Sequence, residues 1–380
     1  MKRLDVIPRK SWRQIVEKQG LLFHSNHNGK PYWDETACFV FSPAEIEKLE
    51  QVANELHGMF LHACKTAIMQ RRLDEFGIPD RLQEAIRKSW RYDDWEIYGR
   101  FDFAIAPDGT PKLLEYNADT PTGLLEASLI QWYWKETNWP EEDQFNSIHD
   151  ALVDRWKALI KKNQLRAHYK LHLTSVAGHT EDRMTVGYMG EIAEQAGLST
   201  QFLDVRDIGW DETAERFVDL ADEPIRQLFK LYPWEWLSEE TFGKHLNTLT
   251  WQVLEPPWKA LCASKGLLLL LEELYPKHPN LLRVARQPEV LRSYVRKPYF
   301  GREGRNIEVV VDGIQKDKTA GPYQRGESIY QEYCPLIRNR DNYAQLGVWM
   351  VGPEARGLGV REDVRPILSN TSRFIPHIIA

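Results

Sequence analysis

YGRFDFAIAPDGTPKLLEYNADTPT, running from Tyr98 to Thr122, reads as two strands joined by a turn. Alternating, aromatic-rich residues flank Pro107-Asp108-Gly109-Thr110-Pro111, and proline and glycine so placed reverse a chain. Because side chains alternate along a strand, Arg100 and Asp102 share one face of the first strand, and Glu115 and Asn117 share one face of the second. A turn centred on Asp108-Gly109 sets Asp102 opposite Glu115 and Arg100 opposite Asn117. The register is approximate, since Pro111 cannot donate to a ladder. Two carboxylates facing each other across a sheet repel unless a cation lies between them. Magnesium takes hard oxygen ligands of the kind Asp102, Glu115 and Asn117 offer. A solvent-exposed polar face, with Arg100 neutralising the acids, is the other reading.

A second segment, YVRKPYFGREGRNIEVVV, Tyr294 to Val311, delivers Lys297 on a strand to a glycine-bearing loop, Gly301 to Gly304. The backbone N–H groups of such a loop suit phosphate oxygens, and the ammonium offsets their charge. The spacing is not that of a P-loop, and an ordinary glycine turn with a surface lysine also fits. Three weaker features accompany it. Lys265 precedes an apolar helix, Gln331 and Glu332 sit among apolar residues, and Arg361 follows the closely spaced Gly357 and Gly359.

The rest of the chain narrows the function classes. With 380 residues, several packed lobes are expected. A formal charge of −6, with acids and bases interspersed, gives no electrostatic case for nucleic acid or an anionic membrane. Only Cys38, Cys64, Cys262 and Cys334 occur, without a C-x-x-C pair, which disfavours a disulfide framework or zinc site. The N-terminus lacks a secretory h-region, and the longest strongly apolar run, Gly266 to Leu271, is too short to span a bilayer, so a cytoplasmic protein is expected. No H-E-x-x-H or G-x-S-x-G motif appears.

Helical spacing from Ser42 to about Met69, with Ser42 as N-cap and Pro43 in the first turn, predicts a long amphipathic helix. Further helices are expected over Thr122 to Trp134, ending at Gly197, and over Leu267 to Leu274. Strands are expected at Gln201 to Val205, Tyr294 to Val311, Ser328 to Cys334 and Leu346 to Ile367. The middle of the chain alternates in the manner of an α/β layer.

Six blocks in order, YGRFDFA, LLEYNADTPT, FKLYPWEW, SKGLLLLLEELYPKHPNLL, VRKPYFGREGRNI and GLGVRED, resemble the synthetase domain of glutathionylspermidine synthetases and their stand-alone bacterial relatives, over about Trp12 to Ile379. The resemblance implies an α/β (α+β) ATP-grasp fold, circularly permuted, with an additional pre-ATP-grasp-like lobe. Its parts would be residues 1–135 (helices and metal-binding strands), 136–255 (the α/β substrate-side lobe) and 256–380 (the nucleotide-binding lobe and the return to the core).

The same resemblance implies ATP and magnesium as cofactors and a ligase joining a small-molecule carboxylate, such as glutathione or another peptide, to an amine. It assigns Asp102, Glu115 and Asn117 to magnesium, and Lys265 and Lys297 to the ATP phosphates. Gly301 and Gly304 belong to the closing loop, and Gln331, Glu332 and Cys334 to the hinge along the adenine. Arg100 and Arg361 would neutralise the carboxylate and the transferring phosphoryl group, while Thr120, Thr122 and Glu181 would face the substrates.

Three positions depart from the glutathione- and spermidine-using pattern. Leu231 replaces a threonine, Asn370 a lysine, and Arg373 an acid that would attract a polyamine; an arginine there would repel it. The competing expectations are an ATPase that forms no amide and a nucleotide-binding regulatory module without turnover.

Overall fold

The structure, a computed structural model, describes residues 1–248, 251–323 and 326–380. Strands Tyr98–Ile105 and Pro111–Asn117 pair antiparallel, with Arg100 opposite Asn117 and Asp102 opposite Glu115, as the alternation predicts. The register shifts by one residue between Asp102 and Phe103, leaving Leu114 as the extra residue, and Pro111 pairs with Ile105. The hairpin does not stand alone. Strand Asn342–Val351 pairs with Tyr98–Ile105 on its other side, followed outward by Glu354–Asp363 and Arg373–Ile375.

The face opposite the polar row is aromatic. Phe101 stacks on Tyr116 at 4.0 Å between ring centres, and both pack on Phe60 of helix Pro43–Met69. This helix begins where the sequence predicts. Ser42 accepts from the Glu45 N–H, and Glu45 accepts in return from the Ser42 N–H, satisfying two donors that a helix start otherwise leaves orphaned. Ile46, Leu49, Ala53, Leu56, Phe60, Ala63 and Ala67 form its buried stripe. Each large side chain of that stripe contributes about 1.5–3 kcal/mol by leaving water.

Two more large sheets belong to the mixed α/β fold. One is four-stranded and wholly parallel, in the order Gln252–Leu254, Gln227–Lys230, Leu171–Ser175, Thr200–Asp204, and helices Ile148–Lys161 and Thr180–Gln195 belong to this part of the chain. The other is five-stranded and antiparallel, in the order Val284–Ala285, Ser328–Glu332, Tyr294–Pro298, Glu308–Val311, Ile314–Lys318. Near the chain ends, Lys2–Asp5, Ala37–Phe41 and His377–Ile379 form a small sheet.

Several element boundaries differ from expectation. The helix predicted from Thr122 begins only after Gly123, whose φ of +83° breaks the helical path, and it opens through a π-helical turn, Glu126–Ile130, before Gln131–Asn138. Ser328–Glu332 stops short of Cys334. Helix Leu267–Leu274 has its predicted limits. Among the described residues, no helix is long and apolar enough to cross a membrane.

Candidate active site

The polar face of the hairpin opens into a cavity of about 340 Å³ walled by the central and five-stranded sheets and by the segments that follow two parallel strands, Leu171–Ser175 and Gln227–Lys230. Arg100, Asp102, Glu115 and Asn117 all line it. Arg100 grips Asp102 through two nitrogens, at 2.6 and 2.9 Å, and donates to the Thr122 carbonyl at 2.5 Å. Its side chain has room because Gly347 stands beside it on the neighbouring strand, where a Cβ would lie 2.8 Å from Arg100 Cδ. The Asn117 amide nitrogen is 2.9 Å from Asp102 and 3.2 Å from Glu115. With a cation bound between the carboxylates, a flip of the amide would present the Asn117 oxygen to it instead.

Both expected lysines arrive at this floor. Lys265 Nζ lies 3.0 Å from Glu115 Oε2 and donates to the Gly301 carbonyl at 2.8 Å. Lys297 donates to the Leu114 carbonyl at 3.1 Å and to Gln331 Oε1 at 2.8 Å. Gly301 and Gly304 form the adjoining lip. Gly304 has φ +67°, and a Cβ there would meet the Leu368 carbonyl oxygen at 2.0 Å, so only glycine lets the loop approach so closely.

The electrostatics follow from burial and neighbours. Burial pushes the Glu115 carboxyl upward, but Lys265 and Lys297 pull it down further, to about 2. Lys297 is lowered to about 8 because burial outweighs the opposing pull of Glu115. Asp102 is raised by burial, against the attraction of Arg100.

On strand Glu354–Asp363 of the same central sheet, Arg361 Nη2 donates to the Ser369 and Ser372 carbonyls at 2.9 and 2.8 Å, with its guanidinium 5.1 Å from the Tyr32 ring centre. Thr120, Thr122 and Glu181 line the same cavity. Burial, reinforced by Glu126, lifts Glu181 to about 7.

The hinge residues separate. Cys334 reaches the cavity, as does its neighbour Tyr333. Gln331 instead lies behind Lys297, holding its ammonium and donating to the Leu113 carbonyl at 3.0 Å. Glu332 accepts from the Arg283 N–H and is not part of the wall. The division falls at the strand end: Gln331 and Glu332 close Ser328–Glu332, whereas Tyr333 and Cys334 follow it.

The expectation for Arg373 is corrected. Its guanidinium is bound to Asp34 at 2.9 Å, Glu362 at 2.8 Å and Asn342 at 2.8 Å, outside the cavity lining, and so repels nothing there. Leu231 and Asn370 do line the cavity. We expect Arg373→Glu to create no polyamine preference and to destabilise the fold by about 2–4 kcal/mol, since it would set a third carboxylate beside Asp34 and Glu362, which Arg373 pairs. Denaturant unfolding checks the second part, and competition between substrates the first.

Four contributors escaped the sequence reading. Arg302 bridges Thr120 Oγ1 at 2.6 Å and Glu235 at 2.7 Å, and Tyr232 and Trp236 line the wall beside it. Glu126, buried with Oε1 unpartnered, influences Glu181 from the π-helical turn. A lone acid inside the apolar run Leu124 to Ile130 was the available signal for Glu126.

Among the described residues, no three His, Cys, Asp or Glu side chains gather into a metal cage. The Asp102–Glu115–Asn117 set nonetheless fits a hard divalent ion that shares its coordination with phosphate oxygens, because magnesium typically takes only one or two protein carboxylates. The cavity therefore combines hard oxygen donors with lysine and arginine cations, the chemistry required to hold a polyphosphate beside a carboxylate.

The chain is 37% identical to a Haemophilus influenzae protein named "Putative acid–amine ligase", over 99% of both chains. It is 28% identical to the bifunctional glutathionylspermidine synthetase/amidase of Escherichia coli, over 90% of this chain but 59% of that longer protein. In fold it resembles a glutathione synthetase-like effector from Globodera pallida, with a TM-score of 0.59 at 12% identity over 97% of both chains. The family model described as "Glutathionylspermidine synthase preATP-grasp" matches residues 3–380. With its site residues thus assembled, the chain belongs to the glutathionylspermidine synthase family.

Proposed function

We propose that this protein is an ATP- and magnesium-dependent carboxylate–amine ligase that works through an acyl phosphate. The observation that carries the reading is the meeting of Asp102, Glu115 and Asn117 with Lys265 and Lys297 in one cavity, with Arg361 two strands away on the same sheet. We further propose a circularly permuted ATP-grasp arrangement with the lobes at 1–135, 136–255 and 256–380. In its favour, the oxygen-bearing hairpin precedes both lysines in sequence, and the C-terminal strands return to pair with it. Four free cysteines suit a cytoplasmic setting.

In this mechanism a carboxylate oxygen attacks the γ-phosphorus of ATP, the bond to the β–γ bridging oxygen breaks, and ADP leaves. The amine nitrogen then attacks the acyl carbon, loses a proton, and inorganic phosphate departs. Asp102, Glu115 and Asn117 would hold magnesium, which when bound offsets phosphate charge. Lys265 and Lys297 neutralise the triphosphate, while Arg100 and Arg361 orient the carboxylate and the transferring phosphoryl oxygens. The loop from Gly301 to Gly304 and the wall around Trp236 exclude water from the activated acid.

ADP release measured with and without candidate amines, with mass spectrometry of the products, tests the reading. Amine-dependent release accompanied by a new amide supports it. Amine-independent release would mean an ATPase, and nucleotide binding without ADP would mean a regulatory module.

Lys297→Ala is expected to weaken ATP binding about 10- to 100-fold, the worth of a charge-assisted contact; unchanged affinity in a nucleotide titration would count against the lysine's role. Because Lys297 titrates at about 8, the cation is present below that pH and lost above it. The kcat/KM for ATP should accordingly fall above about pH 8, and Lys297→Arg should remove that limb of the profile.

A further inference from the structure

A second cavity of about 350 Å³ adjoins the first, and Val176 and Tyr232 belong to the walls of both. Its position follows from the parallel sheet. Strands Gln227–Lys230, Leu171–Ser175 and Thr200–Asp204 are adjacent, and just beyond their carboxyl ends come Tyr232, Val176 and Val205, all lining this cavity. In open parallel sheets, ligands bind in the crevice outside the carboxyl ends of the strands. The two cavities divide that crevice, one half facing the reacting groups and the other lying remote from them.

The remote half is apolar. Phe217 and Trp251, stacked at 3.8 Å between ring centres, lie in its wall with Ile208 and Leu246. Its two charged residues are already engaged: Arg206 with Asp204 at 2.8 Å, and Glu240 with the Tyr232 hydroxyl at 2.5 Å. A pocket with apolar walls and committed charges favours an apolar group over water or an ion.

The Thr120 side of the active site is joined to this wall. Asp119 accepts from Lys230 Nζ at 2.6 Å and from the Trp234 N–H at 2.9 Å, both buried, so Thr120 is held against the segment that carries Leu231 and Tyr232. We propose that this second cavity receives an aromatic or branched aliphatic side chain of the acid substrate, making the protein selective for carboxylic acids that bear such a group. The inference rests on the ligase reading and on Thr120 facing the acid. Leu231 extends the same apolar surface into the active-site cavity.

The test uses the full chain with ATP and magnesium, and hydroxylamine to trap the activated acid as a hydroxamate. Glycylglycine, leucylglycine and phenylalanylglycine serve as acids. For the wild type, kcat/KM for the two bulky peptides should exceed that for glycylglycine by about tenfold or more, the usual worth of filling an apolar pocket. Val205→Trp should erase the preference and leave the glycylglycine value within about twofold. Thr241→Trp, at an exposed position of the rim, should do the same and covers the case in which the first variant misfolds. Equal use of all three acids by the wild type, or a preference that survives in the folded filled variants, would overturn the proposal. If ADP is released but no acid gives a hydroxamate, the ligase reading fails. Calorimetric binding of the same peptides then decides the pocket: tighter phenylalanylglycine binding that is lost in the filled variants supports it, and equal binding sinks it.

Discussion

Glu115→Gln is expected to lower magnesium-dependent amide formation by about 100- to 1,000-fold, the cost of removing one preorganised charge-stabilising group. The carboxylate at position 115 is held at about 2 by Lys265 and Lys297 despite burial, so it is charged at any working pH. The amide keeps its shape and can still receive the Lys265 hydrogen bond, but no longer supplies a full negative charge to a divalent ion. The drop should appear in kcat at saturating ATP, and raising magnesium should recover part of it. Wild-type turnover would remove Glu115 from the metal set.

Asp102 needs a gentler substitution than alanine. It is almost wholly buried and takes two hydrogen bonds from Arg100, so Asp102→Ala strands a buried guanidinium at a cost of about 3–5 kcal/mol. Asp102→Asn keeps the space filled and should show the catalytic loss with less damage to folding.

A stability effect as large is expected at Lys259, which lines no part of the cavity. Its ammonium is fully buried, 2.9 Å from Glu96, 3.3 Å from Glu255 and 2.9 Å from the Tyr98 carbonyl. Glu255 also accepts from the N–H groups of Ile97 and Tyr98, so this cluster anchors the start of the strand that carries Arg100 and Asp102. Lys259→Met leaves two buried carboxylates without their cation and should destabilise the protein by about 3–5 kcal/mol in denaturant unfolding.

The loss should depend on pH in a defined direction. Burial, against the pull of Lys259, raises Glu255 to about 7, above its unfolded value, so its contribution is fully present below the unfolded pKa and lost as pH rises through about 7. Without the lysine, protonation is the remaining way to neutralise the site. The deficit of Lys259→Met should therefore be smaller at pH 5 than at pH 8. A deficit that does not change with pH would show that the carboxylates find other partners.

Of the candidate site, the hairpin face was the most legible, because alternation and one turn fix the facing pairs, and the one-residue shift at Leu114 lies between those pairs and the turn. Six ordered blocks extended that reading to the lysines and to Arg361. The structure sets Gln331 behind Lys297 and Arg373 outside the cavity lining. Position in a motif says where a residue stands along the chain, whereas the direction of its side chain depends on strand parity and on which charges packing brings near. Arg373 meets Asp34 only after the N-terminal segment has returned to the central sheet.

By itself, then, the amino-acid order determined the local pieces: a capped helix at Ser42, a polar-faced hairpin from Tyr98 to Asn117, and a lysine leading into a glycine loop. Each is set by dihedral preferences and side-chain period within a few residues. Tertiary structure alone decided that Gln331 lies behind Lys297, that Glu126 neighbours Glu181, and that three parallel strands end around a second, apolar cavity. Those features join residues far apart in the chain, and no local periodicity encodes the depth or direction from which separate segments meet.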